Sequence, residues 1–103
     1  MTVQRLTVVG LGLIGGSVAA AAKRAGVRRV RAVDPDPETL GFAVAENIAD
    51  EALTPEQAAE AGWLSGDGAD LIVLGTPVAE TVLWLGRLAE LGYTGIVSDV
   101  AST

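Results

Sequence analysis

Three glycines, Gly10, Gly12 and Gly15, stand at the spacing G-x-G-x-x-G in the stretch LTVVGLGLIGGSVAAAAKRAG, Leu6 to Gly26. Glycine is costly to order and packs nothing, so such a cluster marks a place where backbone must come close to something. An apolar, β-branched run from Leu6 to Val9 precedes the glycines, and an alanine-rich helical segment follows them. A strand that turns directly into a helix offers free N–H groups and a partial positive charge, which hold a phosphate without any lysine. In that setting Gly10 makes the tight turn, Gly12 lets backbone approach a pyrophosphate, and Gly15 lets the helix pack on the strand. Leu13 and Ile14, between the last two glycines, border the same site. Ser17, Ala19, Ala21 and Ala22 continue the run of small residues expected of a helix lying close to a sheet. The competing reading is a glycine-rich turn in an unrelated α/β protein.

An acid at the end of the next strand favours the first reading. Asp34 lies nineteen residues beyond Gly15, near the roughly 20-residue separation at which a carboxylate accepts from ribose hydroxyls. Its plainer role is a turn or a cap. Asp36, followed by Pro37 and Glu38, is the better helix N-cap and is expected to leave Asp34 free. A carboxylate at this position repels a 2′-phosphate, and no lysine or arginine occurs from Ala32 to Gly86 to offset it. The expected cofactor is therefore NAD, with NADP disfavoured. Thr76 and Pro77 follow the fourth apolar run, where they would line the dinucleotide as well as start a helix. Asp99 and Ser102, at or just past the last strand, would lie beside the nicotinamide half, Asp99 on the cofactor and both facing a substrate.

These positions need a scaffold of alternating strands and helices. Strands are expected at Leu6–Val9, Val30–Val33, Leu71–Gly75 and Gly95–Val100, with a short, ambiguous one within Ile48–Leu53. Helices are expected from Leu13 to Ala25 with Gly26 just beyond, from Pro37 to about Glu46, from a capping box at Thr54–Gln57 to Gly62, and from Val78 to Leu91 as an amphipathic helix. Trp63 is read as a packing residue over the sheet. Nearly all-apolar strands alternating with helices specify an α/β fold of the Rossmann type, a doubly wound parallel sheet in three layers with strand order 3-2-1-4-5.

Composition bounds the rest. In 103 residues, half of them hydrophobic and only 19% charged, there is material for one folded domain rather than a disordered chain. No apolar run approaches the ~20 residues of a membrane span, so no membrane partner is expected. The chain has no cysteine and no histidine, which removes thiolate metal sites, the commonest metal ligand and the commonest general base together. No metal is expected, and a cytoplasmic location is. Five of the seven basic residues fall between Lys23 and Arg31. A basic cluster can meet nucleic acid, but at a helix C-terminus it complements the helix dipole. With a net charge of −6 and four aromatics, no nucleic-acid partner is expected.

The segments VVGLGLIGGSVAAAAKRAG, VDPDPETL, LIVLGTPV and IVSDVAST, in that order, resemble the prephenate and arogenate dehydrogenases of tyrosine biosynthesis over nearly the whole chain. The resemblance implies NAD(P)-linked oxidative decarboxylation of a small molecule, prephenate or arogenate. It implies that Ser102 positions the substrate's ring hydroxyl near a catalytic histidine. It further implies a C-terminal helical domain that closes the substrate site and makes the full-length protein a homodimer. Ala101 stands where the family usually has glycine, and neither the lysine that usually follows the serine nor the histidine-bearing segment occurs in these residues. The expectation is a dinucleotide-binding domain over 1–103 that binds cofactor but has no turnover by itself. The alternatives are a free-standing dinucleotide-binding regulatory module and another dehydrogenase of the 6-phosphogluconate-dehydrogenase-like group.

Overall fold

The computed structural model describes residues 2–100. Ser102 lies outside the described residues. Strands and helices alternate along the chain as β1 (Arg5–Val9), α1 (Leu13–Arg24), β2 (Arg29–Val33), α2 (Pro37–Ala45), β3 (Glu51–Leu53), α3 (Pro55–Glu60), β4 (Leu71–Leu74), α4 (Val78–Leu91) and β5 (Ile96–Asp99). The strands form one parallel sheet in the order β3-β2-β1-β4-β5, the expected Rossmann-type arrangement. The ambiguous segment yields a strand only at Glu51–Leu53, at the sheet edge.

The register matters more for function than the order. Leu53 pairs with Val33, Val33 with Val9, Val9 with Leu74, and Leu74 with Asp99. The last residues of all the strands thus form one row, and the next residues along the chain form a rim. The ladder continues one step into that rim: Gly10 N–H donates to Val33 C=O at 2.8 Å, Gly75 N–H to Val9 C=O at 2.8 Å, Asp34 N–H to Leu53 C=O at 3.2 Å, and Val100 N–H to Leu74 C=O at 3.1 Å. Residues far apart in sequence are held side by side by backbone alone.

Apolar residues cover both faces of the sheet. One core gathers Leu6, Val8, Val30, Ala32 and Val73 with Ala19 of α1. The other gathers Val9, Val33, Ile72 and Leu74 with Ala58 of α3, Leu88 of α4, and Trp63 and Leu64 from the loop between α3 and β4. Trp63 is therefore the packing residue expected, and the Arg31 guanidinium lies over its ring at 4.8 Å.

Helix starts follow local chemistry. Asp36 caps α2, accepting from Glu38 N–H, with Pro37 at the first position. Thr54 and Gln57 close the capping box of α3, at 3.3 Å and 3.0 Å. Helix α4 departs from a simple amphipathic expectation. Its inward stripe is Thr81, Trp84, Leu88 and Leu91, while Val78, Val82, Leu83 and Leu85 point outward.

The opposite end of the sheet is fastened by carboxylates. Asp70 accepts from Gln4 and Arg5 N–H, each at 2.9 Å, and from the Arg5 guanidinium at 3.1 Å. Those bonds hold its carboxyl below the ordinary range. Asp50 accepts from Val30 N–H at 2.7 Å and pairs with Lys23. Partial burial pushes the Asp50 carboxyl up, but Lys23, the Val30 N–H and Arg29 together outweigh that and hold it low.

Candidate functional site

The turn from β1 to α1 is assembled from three backbones. Gly10 has φ +88°, a left-handed conformation that side chains rarely adopt. A Cβ on Gly15 would stand 1.9 Å from the Gly10 carbonyl oxygen, and one on Gly75 would stand 3.0 Å from that oxygen and 3.1 Å from Gly15 Cα. Gly10, Gly15 and Gly75 therefore lock together, bringing the start of α1 and the end of β4 into contact. The expected roles of Gly10 and Gly15 are visible here. Gly15 acts from beneath the surface, as a buried packing residue.

Gly12 is different. A Cβ built on it meets nothing within 4 Å, and its φ of −66° suits any residue. Among the described residues nothing requires glycine there. Gly12 is also the N-cap of α1, with no side-chain cap and no acidic residue in the first turn. The first turns of α2, α3 and α4 carry Glu38, Glu56 and Glu80. The positive end of α1 is thus left open, as a phosphate-binding turn requires.

Asp34 stands on the rim beside Gly10, but it is not free. Its carboxylate accepts from Leu11 N–H at 2.9 Å and from Asp36 N–H at 3.0 Å. It fixes the glycine turn to the start of α2, which corrects the expectation that Asp36 would relieve it of local duty. A carboxylate offers about four acceptor positions, so two such bonds leave capacity for sugar hydroxyls. Arg31, its basic neighbour in sequence, is committed to Glu51 at 3.3 Å and to Trp63.

Across the rim, the Gly75-Thr76-Pro77 turn leads into α4. Thr76 Oγ1 and Thr81 Oγ1 are 2.8 Å apart in a buried hydrogen bond. The Thr81 hydroxyl also reaches the carbonyls of Thr76 and Pro77, at 3.1 Å and 3.2 Å. Thr81 thereby pins the turn to the first helical turn behind it.

These pieces border two adjoining hollows. One, of ≈ 340 Å³, has Gly10, Gly12, Asp34 and Pro35 on one side and Thr76, Pro77, Trp84 and Arg87 on the other. The second, of ≈ 470 Å³, is bordered by Gly12, Leu13, Ile14, Gly75, Thr76, Pro77 and Val100. They share Gly12 and the Gly75–Pro77 turn, so together they make one groove crossing the carboxyl end of the sheet where the strand order reverses. Among the described residues expected at the site, Gly10, Gly12, Leu13, Ile14, Asp34, Thr76 and Pro77 border this groove. Gly15 supports it from below, and Asp99 ends β5 beside Leu74. Sequence reasoning missed Thr81, Trp84 and Arg87, whose only signal is their position on a helix face.

No protein-family profile matches the chain, and no curated protein sequence does. Solved structures do. A prephenate dehydrogenase from A. aeolicus, in complex with hydroxyphenyl propionate and NAD+, superposes with TM-score 0.84 at 26% identity, over 100% of this chain and 35% of that one. The Synechocystis arogenate dehydrogenase superposes with TM-score 0.78 at 33% identity, over 95% of this chain and 33% of that one. An alcohol dehydrogenase from Thermus sp. ATN1, at 23% identity and TM-score 0.71, shares the fold. The chain spans about a third of the length of the first two. Along its whole length this chain is similar in structure to about a third of a prephenate dehydrogenase solved with NAD+, and along nearly all of it to a third of an arogenate dehydrogenase.

Proposed function

We propose that the chain binds NAD and serves as the cofactor-binding domain of a prephenate or arogenate dehydrogenase. The observation that carries this reading is Gly12, a glycine that nothing among the described residues requires, at an uncapped helix N-terminus beside a carboxylate-bearing strand end. The residues fit the cofactor's needs. The open N–H groups at the start of α1 suit a pyrophosphate, and Asp34 suits ribose hydroxyls. The Thr81-pinned turn and the exposed Leu13 and Ile14 border the hollow left for the nicotinamide half.

Bound there, NAD would supply the hydride acceptor for oxidising an alcohol. The chain's own residues would bind, orient and shield it. With no histidine in the sequence, proton removal from the alcohol falls to a group outside these residues, and Ser102 is proposed to position the substrate. A missing general base costs on the order of 10²–10⁴ in rate, so residues 1–103 alone should bind NAD without measurable turnover. NAD is preferred because Asp34 repels a 2′-phosphate. Calorimetric titration of the chain with NAD and NADP tests the binding. Assay of the full-length protein with prephenate and with arogenate tests the reaction. NADP binding tighter than NAD would refute the cofactor choice, and turnover by residues 1–103 would refute the division of labour.

A further inference from the structure

The groove has a second wall that the glycine motif does not explain. Trp84 and Arg87 lie three residues apart on α4, hence on one helix face, and both border the hollow that contains Asp34 and Pro35. The Arg87 guanidinium lies over the Trp84 ring, 4.9 Å from its centroid. Glu56 of α3 holds it at 3.9 Å, and Pro55 borders the same hollow. An exposed ion pair at that distance adds little to stability, so this arrangement is not explained as a structural tie. It presents a planar cation, backed by an indole, to an open slot facing the β2–α2 turn.

Resting on the dinucleotide reading, we infer that Arg87, backed by Trp84, is the surface on which the adenine of the cofactor stacks. A ribose held at Asp34, with its phosphates running toward Gly12, directs its base away from α1 into this slot. A guanidinium stacks on an aromatic face in a way a lysine ammonium does not, and a purine offers such a face. The indole beneath Arg87 orients it before the base arrives, so little freedom is lost on binding.

The test compares Arg87→Ala and Arg87→Lys with the unmodified chain by calorimetry, using NAD and ADP-ribose. Loss of the stack should weaken both ligands about tenfold in Arg87→Ala, and Arg87→Lys should recover little of it. Thermal unfolding without ligand should not move. Tryptophan emission gives a second readout: NAD should quench Trp84, and Trp84→Phe should remove that quenching while buried Trp63 still emits. Unchanged affinity in Arg87→Ala, full recovery in Arg87→Lys, or quenching that survives Trp84→Phe would each overturn the assignment while NAD binding stood. If the unmodified chain takes up neither ligand, the dinucleotide reading falls, and this inference with it.

Discussion

The two walls of the groove are made in different ways. On the α1 side the work is done by backbone: Gly10, Gly15 and Gly75 interlock, and Gly12 leaves a bare helix N-terminus. On the α4 side it is done by side chains: Thr81 pins the Thr76–Pro77 turn, and Arg87 lies over Trp84. A backbone wall tolerates almost no side chain where it is crowded, yet makes no demand on residue type where it is open. A side-chain wall can lose one group and remain folded. Substitutions should therefore fail steeply on one side and gradually on the other.

The largest effect is expected at Gly15. A methyl group 1.9 Å from the Gly10 oxygen has no room unless α1 lifts from the sheet, so Gly15→Ala should cost about 3 kcal/mol or more. Urea unfolding measures it. A loss below about 1 kcal/mol would show that the interlocked turn can yield.

Gly12→Val separates binding from folding on the same wall. Because a Cβ there meets nothing within 4 Å, the urea midpoint should barely change while NAD binding is abolished. A variant that folds and binds NAD normally would show that Gly12 does not border the phosphates.

Asp34 joins the two effects. Asp34→Asn removes the charge that repels a 2′-phosphate, so the ratio of NAD to NADP affinity should shrink about tenfold, the scale of one charge-assisted hydrogen bond. Some stability should go with it, because Leu11 and Asp36 N–H lose an ionised acceptor. An unchanged ratio would remove Asp34 from cofactor choice.

Thr81 tests the side-chain wall. Thr81→Val deletes the hydroxyl but keeps the shape, and it leaves Thr76 without its buried partner. The expected cost is about 1–2 kcal/mol with only a few-fold loss in NAD affinity. Thr81→Ser should restore most of both. A loss of NAD binding as complete as that of Gly12→Val would erase the distinction between the walls.

Acid should produce the mildest change, and it acts at the far end of the sheet. Asp50 and Asp70 both titrate below the ordinary carboxylate value in the folded chain. Their contribution is therefore present above that value and lost as pH falls through the lowered folded-state values. The urea midpoint should decline below about pH 4, and Asp70→Asn should flatten the decline. If the midpoint is flat down to pH 2, these carboxylates do not fasten the strands.

What was legible in the sequence follows the same division. The strand–turn–helix at Gly10–Gly15, the Asp36 cap, the Thr54–Gln57 box and the apolar strand at Leu71–Leu74 are local patterns. Their meaning lies in spacing, and each formed as expected. Alternation of such elements was enough to specify the strand order, because right-handed crossovers leave few other choices. The sequence thus determined, by itself, the sheet, the glycine turn between β1 and α1, and the acid at the end of β2.

Only the tertiary structure decided what meets across the groove. Gly75 wedges against Gly10 because the strand register sets β1 and β4 level, a fact no window of sequence contains. Asp34 gained two backbone donors because the glycine turn and the start of α2 converge on it. Arg87, the first residue past the cation-free stretch Ala32–Gly86, borders the same hollow as Asp34 because the helix face of α4 carries it there. Local backbone preferences act over a few residues and can be read along the chain. Which side chains share a cleft depends on register and helix rotation, and those are fixed only when the whole sheet packs.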